Sequence, residues 1–389
     1  DGLKYVLYNV LVKLTGRTLP WGNLTGIRPA KLAMGMIESG MKNTEIAQVM
    51  RDHYLVSAKK TALAITIANR DREILKDIDY ENGYSLYIGI PFCPSICLYC
   101  SFSSYPLKVW EKRTDEYVEA LCREVRETAL MMKGRKLDTI YIGGGTPTTL
   151  EPDQLRRLLD QLGESFGFDG LVEFTIEAGR PDSITREKLE AIREYPVTRI
   201  SVNPQTMNQK TLEIIGRRHT VAQTIEAFQL ARELDYNNIN MDLIVGLPGE
   251  DISMVRNTLD KIKELSPDSL TVHSLAVKRA ARLNMFRDKY QEMTFENNQE
   301  IMDLTQQTAY SMEMGPYYLY RQKNMKGNFE NVGYAKVDKA GIYNILIMEE
   351  KQSIIAAGAG ASTKIVLKDP IPMPGSKKKK MTRLIRQEN

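Results

Sequence analysis

Three of the four cysteines in this 389-residue chain stand within eight positions of one another: Cys93, Cys97 and Cys100. They lie in the stretch Ile90-Pro91-Phe92-Cys93-Pro94-Ser95-Ile96-Cys97-Leu98-Tyr99-Cys100. Three thiolates on so short a loop can hold three irons of a cubane cluster and leave the fourth open to an exogenous ligand. That arrangement suits a cluster that acts on a bound molecule rather than one that only relays electrons. Zinc is the alternative, but a tetrahedral site wants a fourth Cys or His, usually from a second Cys-X2-Cys knuckle, and none is evident. Cys122 could complete such a site. It falls in a segment of helical period, where a free cysteine more often behaves as a small buried hydrophobe. With only His53, His219 and His273 in the chain, histidine-based acid/base chemistry has few candidates.

Other chemistry-bearing residues follow at intervals. Gly143-Gly144-Gly145-Thr146-Pro147 is a glycine run with neither the Gly-Lys-Ser/Thr of a P-loop nor the Gly-X-Gly-X-X-Gly of a dinucleotide site. Glycines there would let backbone N–H groups approach a ligand closely. Glu177, Gln205 and Asp242 are polar residues at or near the ends of apolar runs, and Arg217 stands twelve residues beyond Gln205. A carboxylate suits ribose hydroxyls or an ammonium, and an arginine suits a carboxylate through paired N–H donors. Lys278, Arg279 and Arg282 cluster where an anion could be met. Tyr317, Tyr318, Tyr320 and Tyr334, with Arg321, could cover a flat ring, although ordinary core packing explains tyrosines equally well.

The elements that must position these residues are legible as an alternation. β-rich runs read Tyr84–Phe92, Asp138–Ile142, Glu173–Glu177, Arg199–Gln205, Asn240–Val245 and Ser269–Val277, with amphipathic segments of 3.6-residue period between them. In 115–133 the apolar positions are Val118, Leu121, Val125 and Ala129; in 152–162 they are Leu155, Leu158, Leu159 and Leu162. Such alternation means parallel βαβ units, hence an α/β fold: a partial (β/α)6 barrel or an open doubly wound sheet. Ligands in either collect at the carboxyl ends of strands, where the singled-out residues fall. Residues 1–83 read as a helical N-terminal accessory region, with Thr44 and Ser57 as N-caps, a long helix over 58–75, and a loop or helix start at 26–29.

Composition excludes other classes. The formal charge is +4, but residues 375–389 hold six basic residues against Glu388, a net of +5, so the remainder carries −1. No nucleic-acid footprint is therefore expected. No apolar run approaches the roughly 18 residues of a membrane span, and no cleaved secretory signal is evident, which predicts a cytoplasmic protein. The stretch from Asp369 reads as a basic, loop-like tail, and the chain as a trimmed piece.

Cys-X3-Cys-X2-Cys with an aromatic before its last cysteine resembles the radical S-adenosylmethionine (SAM) superfamily. The surrounding Tyr-Ile-Gly-Ile-Pro-Phe-Cys is similar to the oxygen-independent coproporphyrinogen III oxidase family. Within it the likeness is to coproporphyrinogen dehydrogenases of the HemZ type, through Thr-Gly-Ile-Arg-Pro (25–29), Cys-Leu-Tyr-Cys-Ser-Phe-Ser-Ser-Tyr-Pro (97–106) and Tyr-Arg-Gln-Lys-Asn-Met (320–325). The resemblance implies a partial (β/α)6 barrel over 84–285, a C-terminal α+β substrate-covering domain over 286–368, and a basic tail over 369–389. It implies a 4Fe–4S cluster on Cys93, Cys97 and Cys100, and SAM on Tyr87, Gly144, Gly145, Thr146 and Glu177. Tyr87 then joins the three cysteines at the catalytic centre. Gln205, Arg217, Asp242 and the backbone near Tyr99 and Ala276 match positions that hold a second SAM in the family, so one or two molecules are expected.

The implied chemistry is reductive cleavage of SAM to methionine and a 5′-deoxyadenosyl radical. That radical takes hydrogen from a carbon of a propionate side chain, which then loses carbon dioxide and one electron and becomes vinyl, in oxygen-independent heme biosynthesis. Lys278, Arg279, Arg282 and Arg321 would meet the tetrapyrrole substrate, and a small electron-transfer protein would be the reductant. Two departures stand out. Oxidases of the family carry a further cysteine where this chain has Phe102. The His-Asn-X-X-Tyr-Trp of heme-chaperone relatives reads here Glu330-Asn331-Val332-Gly333-Tyr334-Ala335. Decarboxylation, another radical reaction on a tetrapyrrole, and heme chaperoning all remain open.

Overall fold

A computed structural model describes residues 2–26, 28–102, 104–276, 281–285, 297–322, 325–367 and 383–386. Its contacts group the chain into two units, one of residues 78–241 with 341–389 and the other of 1–77 with 242–340.

The first unit holds the alternation. Its strands begin with β1 (Tyr84–Ile90), the short β2 (Phe92–Cys93) and β3 (Tyr105–Pro106), then β4 (Leu137–Gly144), β5 (Glu173–Glu177) and β6 (Arg199–Ser201). β1, β4, β5 and β6 pair side by side, all parallel, and β6 pairs in parallel with the start of β7 (Ile239–Val245). Parallel strands covered on both faces need near-continuous apolar runs, and β1 and β5 are buried along almost their whole lengths. The helices expected between them are present at Thr114–Met131 and Pro152–Phe166. The second begins at Pro152, where a missing N–H costs nothing, and Gln154 accepts from the Glu151 amide at 2.9 Å. β6 stops at Ser201, short of the expected Gln205, which adopts a left-handed φ of 65°.

The other unit contains the end of β7 and β8 (Ser269–Ser274), β9 (Gly315–Tyr320) and β10 (Asn331–Ala335), in the order β7-β8-β10-β9. β10 runs antiparallel to both β8 and β9. The N-terminal helices are α1 (Gly2–Thr15), α2 (Pro29–Glu38), α3 (Asn43–Asp52) and α4 (Ala58–Leu75), and α2 and α4 pack on β9. Ser57 caps α4 as expected, its hydroxyl accepting from the Lys60 amide. Thr44 does not cap α3. That helix starts at Asn43, two residues earlier than a Thr44 cap would place it, and Glu45 accepts from the Lys42 amide at 2.7 Å. Arg70 of α4 anchors the helix by donating to the Ala335 and Lys336 carbonyls at 3.0 and 3.2 Å. Lys60 is buried against Glu330, whose other oxygen accepts from Trp21 Nε1.

Three further strands return to the first unit: β11 (Ser353–Ala357), β12 (Ser362–Ile365) and β13 (Arg383–Arg386). β11 lies parallel to β1 on the side away from β4, and β12 and β13 extend that edge antiparallel. The expected loop-like tail thus includes one strand, β13; the remainder of 369–389 lies outside the described residues. Among the described residues, no helix is long and apolar enough to cross a membrane.

Candidate active site

The cysteine loop leaves β1 at Pro91 and is closed by the β2–β3 pair and by the Tyr105 amide donating to the Pro91 carbonyl at 2.8 Å. It is pinned at a second place. The Leu98 amide donates to the Ile215 carbonyl at 2.9 Å, and the Ser95 hydroxyl to the Gly216 carbonyl at 2.8 Å. Two buried guanidinium groups meet this loop. Arg180, 3% exposed, donates to Cys97 Sγ at 3.6 Å and to the Ser95 carbonyl and hydroxyl at 3.2 and 3.1 Å. It is steadied by Asp182 at 2.7 Å. Arg217 reaches the Cys97 sulfur and the Tyr99 hydroxyl, and bonds the Asn203 carbonyl. Thr146 Oγ1 donates to Cys93 Sγ at 3.6 Å. Burial pushes the Cys93 and Cys100 thiols up, so loading a metal there must release protons.

Donors and cations aimed at sulfur are what an anionic thiolate-held cluster needs, and the loop residues fit such a group. Among the described residues no group of three His, Cys, Asp or Glu is arranged to hold a metal ion. The fit therefore rests on donor chemistry and not on a preassembled cage. Cys122 lies apart, buried on the helix Thr114–Met131 with its sulfur 3.8 Å from the Arg157 carbonyl.

An aromatic and acidic cluster lies on the adjacent strands β1, β4 and β5. Tyr87 of β1 and Tyr141 of β4 are register partners, and Tyr141 stacks on Tyr343 with ring centroids 4.4 Å apart. Tyr141 donates to Glu177 at the end of β5. Burial, with Glu177 nearby, pushes the Tyr87 phenol well above its ordinary range, so it stays protonated. The glycine run fits tightly here. A Cβ on Gly143 would come within 3.2 Å of the Glu177 carboxylate, and one on Gly144 within 3.1 Å of the Ile90 carbonyl. The Gly145 and Thr146 amides are not turned to a ligand as expected. They donate to the Ile90 and Phe92 carbonyls at 2.6 and 2.7 Å, prolonging β1. Glycine is required at these positions because protein atoms already fill the space a side chain would take. Gln205, 8% exposed, keeps a buried Oε1 with no protein donor, an acceptor suited to a ligand's hydroxyl or ammonium.

Tyr87, Cys93, Cys97, Tyr99, Cys100, Gly144, Gly145, Thr146, Glu177, Gln205 and Arg217 thus all belong to one unit. Asp242 and Ala276 belong to the other. There Asp242 lies 3.7 Å from His273 Nε2, and Tyr320 contacts His273 Nδ1 at 3.3 Å. Lys278 and Arg279 lie outside the described residues, and Arg282 is exposed on the short helix Arg282–Met285. Arg321 is 9% exposed and bonded to the Leu24 carbonyl at 2.9 Å. Tyr317, Tyr318 and Tyr334 are buried core residues, so stacking by these three on a ligand is not what they do. The sequence reading missed Arg180, Asn203, Tyr141 and Tyr343. Arg180 stands three residues past a strand end and could have been found by the same carboxyl-end rule.

The sequence signature of the Radical SAM superfamily matches residues 87–262. Over 373 residues the chain is 42% identical to the oxygen-independent coproporphyrinogen-III oxidase-like protein HemZ of Bacillus subtilis, covering 94% of this chain and 74% of that protein. It is 38% identical over 195 residues to the heme chaperone HemW of the same bacterium, half of this chain and 51% of the chaperone. The solved coproporphyrinogen III oxidase HemN of Escherichia coli superposes with a TM-score of 0.59 at 24% identity, over 75% of this chain and 67% of that one. That likeness shows a shared fold.

Proposed function

The chain belongs to the radical SAM superfamily, in the family of oxygen-independent coproporphyrinogen-III oxidase-like proteins, and on that premise we propose that it is a tetrapyrrole-directed enzyme that decarboxylates coproporphyrinogen III propionates to vinyls. Proteins of this superfamily use a 4Fe–4S cluster and SAM. Cys93, Cys97 and Cys100 hold the cluster. Bound there, cluster and SAM supply one-electron cleavage of a C–S bond and a carbon radical able to take hydrogen from a propionate.

The chain's own residues do the rest. Arg180 and Arg217 balance the negative charge gathered on Cys97. Glu177, held by Tyr141, turns its carboxylate to the cofactor's hydroxyls or ammonium. Gly144 and Gly145 let the cofactor lie against backbone, and the stacked Tyr87, Tyr141 and Tyr343 keep water from it. Gln205, Arg217, Asp242 and Ala276 serve a second SAM. Lys278, Arg279 and Arg282 pair with propionates, and a small electron-transfer protein delivers the electron.

The observation that carries this reading is the convergence of two buried guanidinium groups on Cys97. A second reading, heme chaperoning, is favoured by Phe102. It occupies the place of the oxidases' additional cysteine and is 71% exposed. Anaerobic incubation of reconstituted protein with reductant, SAM and coproporphyrinogen III separates them. Carbon dioxide released in step with deoxyadenosine supports decarboxylation. Deoxyadenosine without carbon dioxide removes it and leaves another radical reaction. Tight heme binding with neither product favours the chaperone.

A further inference from the structure

Two of the three stretches that carry the HemZ-type likeness, 25–29 and 320–325, lie outside residues 87–262 and therefore outside the radical SAM signature. In the unit built from 1–77 and 242–340 they meet. Arg321 Nη1 donates to the Leu24 carbonyl at 2.9 Å and the Gly26 carbonyl at 3.4 Å, and Nη2 reaches Asn328 Oδ1. Here they border a cavity of about 590 Å³, within the range of small-molecule sites.

The far wall of the cavity is helix α1. Not one of its residues is buried, although Leu7 and Leu11 face the hollow with Leu19 and Met325. Lys4 Nζ donates to Thr25 Oγ1 at 3.2 Å and the Leu19 amide to the Tyr8 hydroxyl at 2.9 Å, which ties α1 to this wall. Leu7 and Leu11 are 54% and 49% exposed where they line the cavity, which gives a flat apolar ring a surface to lie against.

Charge narrows the occupant. Arg321 is 9% exposed, and among the described residues no carboxylate pairs with it. The nearby Glu330 is committed on both oxygens, to Lys60 and to Trp21. Burial accordingly lowers the Arg321 pKa, with Glu330 only partly opposing it. Its Nε has no acceptor, and Lys4 adds a second cation at the rim. A buried cation without an anion is costly, and a ligand carboxylate would relieve it. The isolated antiparallel bridge between Ala276 and Met325 ties the Met325 side of the cavity to the chain just past β8.

We propose that this cavity binds a carboxylate-bearing tetrapyrrole, its propionates on Arg321 and Lys4 and its ring beneath Leu7 and Leu11. The proposal rests on the tetrapyrrole reading for the ligand's identity, while the cavity and its cations are independent of the cysteine loop. Coproporphyrin III, the redox-stable porphyrin with the same side chains, is titrated into the full reconstituted chain by fluorescence quenching.

Lys4→Glu and Leu11→Asp, both on an exposed helix, should each weaken binding by about tenfold, and coproporphyrin tetramethyl ester should bind wild type comparably weakly. Unchanged affinity in both variants overturns the proposal. So does equal competition by decanoate, which would mark an aliphatic carboxylate site, or loss of a dimer in Leu11→Asp with porphyrin binding intact. Carbon dioxide release with unchanged binding in the variants defeats the cavity alone. Weakened binding in the variants, in a protein that never releases carbon dioxide, sustains the cavity and defeats the decarboxylase.

Discussion

Replacing Gly145 with alanine tests how the site is assembled, because the outcome can be worked from distances. A Cβ at Gly145 would lie 2.5 Å from the Phe92 carbonyl oxygen and 2.9 Å from that of Ile90. Real Cβ contacts almost never fall below 3.0 Å, so the strand end must retreat by at least the difference, 0.5 Å. It cannot retreat freely. The Gly145 and Thr146 amides hold the same two carbonyls at 2.6 and 2.7 Å. Stretching both bonds in a buried place costs about 2–4 kcal/mol, at roughly 1–2 kcal/mol each. Cys93 is bonded directly to Phe92, so it moves with the retreat. A misplacement approaching 1 Å at a reacting centre lowers rate by about a hundredfold.

The assay reads iron per chain after anaerobic reconstitution and deoxyadenosine formed per minute from SAM. The expected result for Gly145→Ala is retained iron with cleavage down about a hundredfold. Gly35→Ala is the control. It sits within α2 with nothing in reach of its Cβ and should gain about 0.5–1 kcal/mol with unchanged turnover. Cleavage in Gly145→Ala within about twofold of wild type would refute the claim that this backbone contact sets the cysteine loop.

Three further outcomes follow from single contacts. Glu330→Gln strands the buried Lys60 ammonium and should cost about 3–5 kcal/mol in urea unfolding, while the double change Lys60→Met/Glu330→Met should recover most of it; equal losses in single and double variants would contradict this. Burial lowers the His219 pKa below its ordinary 6.5, so the stability it contributes is complete above that value and drains away as pH falls through the folded value. Wild type should therefore lose stability relative to His219→Gln between pH 7.5 and 5.5, and parallel profiles would disprove it. Cys122→Ala should keep its full iron content, since that sulfur faces the Arg157 carbonyl in a helix packing layer, and iron loss there would reinstate Cys122 as a ligand.

Much of the scaffold was legible because parallel strands and their covering helices write strong periods. β5 spans the run read for it, α4 runs from Ala58 to Leu75 as expected, and the helix after the cysteine loop was displaced by only a residue or two. Chemistry at strand ends was legible for the same reason. The alternation reveals where the carboxyl ends are, so Glu177 could be singled out before its partner Tyr141 was known.

What stayed hidden was contact across long separations. Nothing local marks Ser353–Ala357 as the parallel neighbour of β1, since a short apolar run after a helix looks alike in many folds. Glu330 and Lys60 are 270 residues apart, and neither has a local pattern to announce burial. The left-handed φ of Gln205 was equally hidden, since on a non-glycine it is set by its surroundings and not by its own side chain. The glycine run was assigned the wrong polar group for the same reason. Absence of Cβ is visible in sequence, but the direction of an amide is not.

What the Cys93–Cys97–Cys100 loop holds decides the chemistry of this protein. Anaerobic reconstitution followed by iron and sulfide analysis, with deoxyadenosine measured in the same sample, addresses it directly. The expected result is about four irons and four sulfides per chain, with SAM cleavage that disappears in Cys93→Ala. A protein that carries zinc and no iron, or that cleaves SAM equally well without Cys93, would contradict it.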